Sequence, residues 1–344
     1  MLRSKARSLL RTVAMFLDSR NLFLPGLIFS PYYDRADRKP GRLLPMVNSS
    51  VSKYLGMNPL SPDELRYRTR ALTITSEGLE ATSEFSLPNI ELLIVAAEKD
   101  FWLLEAAASL AVLTSKNKII SVSVVVPDQS LDVTPKIRIQ NVQVNILPES
   151  NFISPAQFGQ LRSAFGTDYG WLLQQFLLLR FVETSHLPGV LTLDADTLLL
   201  EKKVWLTREG KQTLQVSSEF VTGYYEFLRK IGLLTSDPSE THVTHHMLMQ
   251  PKVLIRIFKE LNLRDSSHLL EKTLVYAAEA KQRKFSLDFE FYAQGLKRFF
   301  PSDYVLEKFA NRSVMLQRNA LIEPQLKKYI HKYKSVSSHS YLYA

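Results

Sequence analysis

Between residues 90 and 200 the apolar positions follow two rhythms. Ile90 to Ala97 reads Ile-Glu-Leu-Leu-Ile-Val-Ala-Ala, a nearly continuous run that predicts a strand buried on both faces. It ends in Glu98-Lys99-Asp100, where Asp100 can cap a helix over Phe101 to Leu113, rich in Ala and Leu. Val122 to Val126 predicts a second strand, closed by Pro127-Asp128, and Val142 to Leu147 a short third one. From Gly170 to Leu187 the spacing becomes helical, with Trp171, Gln174, Gln175 and Leu178 on one face. His186-Leu187-Pro188-Gly189 stops that helix and leads into Leu191 to Leu200, another apolar run. Strands alternating with helices predict an α/β fold, a Rossmann-type, mostly parallel central sheet flanked by helices.

Past Leu200 the segments shorten. Leu214 to Ser218 reads as a strand, Tyr224-Tyr225 as the start of a helix, and His242 to Met249 as a strand carrying adjacent histidines. Helices are expected from Pro251 to about Leu261 and from a cap at Ser266 or Ser267 through Lys281. Asp288 stands near the start of another, in a stretch where Asp288 and Glu290 alternate with large aromatics. Asn311 to Leu316 is a late strand candidate and Glu323 to Lys334 a basic helix. At the other end, Met1 to Leu17 sets leucines against Arg3, Arg7 and Arg11 in a basic amphipathic pattern. Prolines at 25, 31, 40, 45, 59 and 62 follow, as in an irregular arm. Ser61-Pro62-Asp63-Glu64 looks like a capped start for a helix over Leu65 to Leu72. The chain thus divides into an extension over 1–84, a catalytic-sized domain over 85–322 and a basic tail over 323–344.

One apolar run holds a chemical anomaly. Leu191-Thr192-Leu193-Asp194-Ala195-Asp196-Thr197-Leu198-Leu199-Leu200 carries two carboxylates where burial disfavours charge. Residues two apart in extended chain share a side, so Asp194 and Asp196 are expected to converge where the strand leaves the sheet, where open α/β sheets collect ligands. Two anions that close call for a cation, and a hard divalent ion bridging to phosphates answers that need. The plainer reading makes one Asp a turn cap and the other solvated.

Composition narrows the partners. The chain of 344 residues has no cysteine, which removes disulfides and zinc-thiolate sites. Its net charge of +9 sits at the ends: residues 1–42 hold nine basic residues against three acidic ones, and the tail adds more lysine. A near-neutral middle argues against nucleic acid and for contact of the basic termini with an anionic membrane surface. Arg11, Asp18 and Arg20 interrupt the first apolar run, so neither a membrane span nor a cleaved signal is expected, while the Arg-rich start also has the look of an organellar transit peptide. No GxGxxG follows the first strand, which disfavours nicotinamide and flavin enzymes.

Taken over residues 88–318, these features resemble the GT-A superfamily of nucleotide-sugar glycosyltransferases, particularly bacterial members associated with surface polysaccharides. The strand Ile90 to Ala97, the helix with Trp171 and Gln175, the Asp194-Ala195-Asp196 motif, His245-His246-Met247 and Asp288-Phe289-Glu290-Phe291-Tyr292 carry the resemblance. It implies Mn²⁺ or Mg²⁺ held chiefly by Asp196, with Asp194 in support and a histidine from among His245, His246 and His331, His246 being placed first. It implies a nucleotide-sugar donor met by Glu98, Asp100, Asp128, Trp171, Gln175 and Asp194. Asp288 and Glu290 would serve catalysis on a glycan or lipid-linked acceptor, at the cytoplasmic face of the membrane. Two rivals remain. A haloacid-dehalogenase-like phosphatase would use Asp194 as nucleophile and Asp196 as acid/base, and a membrane-associated scaffold would keep the fold without activity.

Overall fold

The computed structural model describes residues 87–281, 283–318 and 320–339, together with 66, 67, 70, 71, 73, 74, 78 and 79. The amphipathic start, the proline-rich arm and the Ser61 cap lie outside the described residues. So does the chain beyond His339.

Among the described residues the strands are β1 (Ile90–Val95), β2 (Ile119–Val126), β3 (Gln143–Pro148), β4 (Val190–Asp194), β5 (Thr197–Leu199), β6 (Gln212–Val216), β7 (His246–Met249), β8 (Tyr304–Lys308), β9 (Asn311–Ser313) and β10 (Ser335–Ser337). The central sheet has the order β3-β2-β1-β4-β7. Its first four strands are parallel and β7 runs antiparallel along the edge of β4. The chain leaves β1 toward β2 and β3, then returns to place β4 on the other side of β1. That reversal makes a crevice at the carboxyl ends of β1 and β4, and the register sets Val95 beside Asp194 there.

Strand periodicity divides the core in two. Leu93, Val95, Val125 and Val190 face one layer, packed with α2 (Pro155–Phe165), α3 (Tyr169–Thr184), α5 (Pro251–Glu260), α6 (Ser266–Ala280) and α7 (Phe289–Phe299). Leu92, Ile94, Val122, Val124, Leu191 and Leu193 face the other, with α1 (Leu104–Thr114) and the residues around β5 and β10. The short α4 (Thr222–Lys230) joins the first layer through Tyr225, Phe227 and Leu228. On β4 the same alternation puts Val190, Thr192 and Asp194 toward α3, which decides which helix meets the carboxylate. Glu91 is the one acid inside β1, and hydroxyls of Ser121, Ser123 and Ser185 donate to it at 3.0, 3.1 and 3.1 Å.

The fold is therefore the expected α/β one, with a mostly parallel central sheet between helices. Three local departures matter. A 3-10 helix over Glu98–Leu103 precedes α1, so the loop after β1 turns tightly before the helix begins. The run Leu191 to Leu200 is two strands, because Ala195 and Asp196 form a turn and β5 joins a second sheet of order β5-β10-β9. Among the described residues the basic tail is α-helical over Ile322–Leu326, not over Glu323 to Lys334, and then enters that second sheet as β10, antiparallel to β5 and parallel to β9. Among the described residues no helix is long and apolar enough to cross a membrane.

Candidate active site

Asp194 is the last residue of β4, and its backbone N–H donates to the His245 carbonyl at 2.9 Å. Its side chain faces away from the second core layer and meets two partners. The Gln174 amide donates to Oδ1 at 3.0 Å, and His245 Nδ1 lies 3.0 Å from Oδ2. Asp196, in the turn, is held by a different part of the chain: His339 Nδ1 stands 2.9 Å from its Oδ2, and the Ser338 N–H donates to its carbonyl at 2.8 Å. The two imidazoles lie beside each other, ring centroids 4.8 Å apart. Two Asp–His pairs thus close the end of the crevice.

These groups tune one another. Burial pushes the Asp194 carboxyl upward, the His245 hydrogen bond opposes it, and the Asp196 charge pushes the same way as burial. Burial also works upward on Asp196, yet the hydrogen bond and charge of His339, with His245 and Lys99, bring it below the usual carboxylate range. Burial would lower His245, but Asp194, Asp196 and Glu219 together raise it. Asp100, in the 3-10 turn after β1, is pushed up to about 6 by burial, with Lys99 pulling down and Asp196 and Asp194 adding to the rise. Asp288 is pushed up to about 7, chiefly by burial and further by Asp194, while the Phe289 N–H holds it back. The crevice therefore gathers carboxylates from the 3-10 turn after β1, from the end of β4 and the turn that follows it, and from the cap of α7.

The expected residues fall into two groups. Asp100 lies within electrostatic reach of Asp194 and Asp196, and Asp288 of Asp194, while Trp171 stands one helical turn before Gln174; Glu98 is exposed at the head of the 3-10 turn after β1. Asp128 belongs to the loop after β2, where its carboxylate accepts the Ser150 N–H at 3.1 Å, away from the Asp–His pairs. Gln175 is buried: its amide donates to Phe285 O at 3.1 Å and its oxygen accepts the Leu287 N–H at 2.6 Å, tethering the segment before α7. Gln174, one residue earlier, is the glutamine that reaches Asp194. His246 does not meet either carboxylate. It lies in the core edge-on to Trp205, ring centroids 5.5 Å apart, where burial drives its pKa well down. His245 takes the place next to Asp194, since successive strand residues point to opposite faces. His331 is exposed.

Glu290 is fully enclosed. Tyr225 and Gln294 donate to it at 3.0 Å each, and the His242 N–H donates as well. That carboxylate anchors α7 to α4 and to the segment before β7, and has no exposed surface from which to take a proton. Asp288 caps α7 by accepting the Phe289 N–H at 2.7 Å. Glu219 and His339 were not anticipated from the sequence. A serine-rich tail shows no local sign of reaching residue 196, and Glu219 lies in no motif.

The two carboxylates supply the oxygen donors that Mn²⁺ and Mg²⁺ favour, and Mn²⁺ tolerates a neighbouring imidazole better than Mg²⁺, which prefers oxygen throughout. In the arrangement described, each carboxylate is engaged by a histidine. Among the described residues no group of three or more His, Asp or Glu side chains is gathered as a ready metal cage.

No protein-family model matches the sequence, and no curated protein matches it. Among solved structures the chain is similar to mouse xyloside xylosyltransferase 1 in its apo form. The identity is 12% and the TM-score 0.41, over 74% of this chain and 98% of that one. A likeness that distant decides neither family nor function, and the functional reading rests on the site's own residues.

Proposed function

We propose that this chain is a metal-dependent glycosyltransferase that moves a sugar from a nucleotide-sugar donor to a glycan or lipid-linked acceptor. The observation that carries the reading is the meeting of Asp194 and Asp196 at the β1/β4 crevice, each joined to an imidazole and both within electrostatic reach of Asp100. A carboxylate pair at that point of an open α/β sheet suits a cation and the phosphates it would bridge. Asp196 and Asp194 would hold the ion, with His339 and His245 next to them. When bound, the ion would offset charge on the departing nucleoside diphosphate.

The rest is the work of the chain's own side chains. Lys99 and Arg318 both bear on Asp100 electrostatically and place positive charge at the mouth of the crevice, where a diphosphate would lie. Gln174 fixes the rotamer of Asp194 from one side and His245 from the other. Asp288, with its pKa near 7, suits the removal of a proton from an acceptor hydroxyl at neutral pH. Glu290 has no part in this reading beyond fixing α7. The basic ends of the sequence support a peripheral position on an anionic membrane surface, on the cytoplasmic side, in the making of surface polysaccharide.

The phosphatase reading finds less support. Of the further acids it would recruit, Asp265 caps α6 and Asp303 accepts from Ser302, leaving only Asp288 near Asp194. Titration calorimetry with UDP and GDP, with and without Mn²⁺, tests the proposal. Metal-dependent nucleotide binding that disappears in Asp196→Ala with the fold retained is the expected result. Phosphate release from small phosphoesters would point to the phosphatase, and an absence of both would leave the scaffold.

A further inference from the structure

Trp171, Tyr224 and Glu219 carry no step of the transfer proposed for the Asp–His pairs. Helix α3 is buried along most of its length, yet Trp171 in its first turn is 40% exposed. It stands three residues before Gln174, so the two share a face of the helix, and Gln174 ties that face to Asp194 at 3.0 Å. Tyr224 of α4 lies against the indole, with ring centroids 5.8 Å apart and planes inclined by 34°. The Tyr224 hydroxyl points to Glu219 at 3.5 Å.

Glu219 follows β6 and is recessed rather than solvated, and its charge acts on both His245 and His339. It therefore links Tyr224 to the two imidazoles. A hydrogen bond of 3.5 Å is long, and a carboxylate has about four acceptor positions, so Glu219 retains capacity toward a ligand. An open aromatic face next to a recessed acceptor is the surface that a pyranose ring complements, with apolar C–H bonds on its face and hydroxyls around its edge.

We propose that Trp171, Tyr224 and Glu219 form a sugar subsite next to the Asp–His pairs, Trp171 covering the apolar face of a pyranose and Glu219 accepting hydrogen bonds from its hydroxyls. The choice of a sugar as ligand rests on the glycosyltransferase reading. The ring belongs to the donor or to the acceptor, and the chemistry of recognition is the same for both.

The experiment compares the full chain with W171A, W171F and E219Q, each verified by circular dichroism and thermal melting. Calorimetry with Mn²⁺ measures UDP and GDP alone, then UDP-glucose, UDP-galactose, UDP-N-acetylglucosamine and GDP-mannose; saturation-transfer NMR measures the methyl glycosides of the same sugars. For a donor ring, W171A and E219Q weaken an intact nucleotide sugar about tenfold or more while bare nucleotide changes less than about twofold. For an acceptor ring, only the methyl glycoside signal falls. In both cases W171F, which keeps an aromatic face, recovers most of the loss. If bare nucleotide binds and no sugar contact responds to W171A or E219Q, the subsite is wrong while the transferase reading stands. If no nucleotide binds but a methyl glycoside does so in a Trp171-dependent manner, the subsite stands and the transferase reading falls. Wild-type chain that binds no sugar in either form overturns the subsite.

Discussion

His339 Nδ1 lies 2.9 Å from the carboxylate of Asp196, 143 positions earlier in the chain. The contact is made because β10 inserts between β5 and β9 and leaves its next residues against the turn after β4, where the Ser338 N–H also binds the Asp196 carbonyl. A carboxylate oriented in this way keeps one geometry instead of several, which favours ligand binding before any ligand arrives. His339→Ala is expected to weaken Mn²⁺-dependent nucleotide binding by about tenfold to a hundredfold, measured by calorimetry. His331→Ala, at an exposed position in the same tail, is expected to change it by less than about twofold. Equal effects from the two would argue against a role for the Asp196 contact.

Gln174 and Gln175 should separate binding from stability. Gln174→Ala removes a donor to Asp194 and should lower nucleotide affinity with little change in melting temperature. Gln175→Ala leaves the Phe285 carbonyl and the Leu287 N–H without their buried partner and should cost about 1–3 kcal/mol in urea unfolding. A reversal of the two phenotypes would mean that the helix face toward the crevice has been misassigned.

Gly295 tests the packing of α7 on α5. A Cβ at this position would fall 2.6 Å from Ile257 Cγ1 and 3.0 Å from its Cγ2. A β-branched side chain in a helix has little rotamer freedom with which to yield. Gly295→Ala is therefore expected to destabilise by about 1–3 kcal/mol despite its better helix propensity, as read by chemical denaturation. A stabilised variant would show that the two helices can move apart.

Glu240 supplies a pH-dependent part of stability. Burial works upward on its carboxyl, but Lys297, Ser239 and Arg70 bring it down to about 2. Arg70 donates to one oxygen at 3.0 and 2.8 Å, and Lys297 pairs with the other. Because the folded value lies below the unfolded one, this contribution is fully present above about pH 4.5 and is lost as pH falls toward 2. Denaturant unfolding between pH 6 and 3 should show wild type losing about 1–2 kcal/mol more than Glu240→Gln over that interval. Parallel pH profiles would remove the ion pair from the account.

Much of the architecture was readable because burial on both faces leaves a plain mark. β1 starts at Ile90 as expected and ends two residues short of Ala97, while β2 begins at Ile119, three residues before the expected Val122, because Ser121 interrupts its apolar run; the double burial of β4 was equally clear. The turn at Ala195 and Asp196 was not legible, since Thr197 to Leu199 is just as apolar and belongs to a neighbouring sheet. β10 is Ser-Val-Ser, too short and polar to announce a strand, and its buried position comes wholly from partners on either side. At the site, the Asp194 and Asp196 pair was visible as charge inside an apolar run. The choice between Gln174 and Gln175, or His245 and His246, turned on side-chain direction at adjacent residues, which composition does not encode. His339 and Glu219 depended on contacts distant along the chain.

The insertion of β10 between β5 and β9 also bears on how the protein is born. During synthesis β5 and β9 emerge first and have no direct partnership with each other, so both wait with open edges until residues 335–337 leave the ribosome. The turn carrying Asp196 gains its Ser338 and His339 contacts only after that late moment. A nascent chain would thus hold a Rossmann-like half before Ser338 and His339, the residues just past β10, reach Asp196.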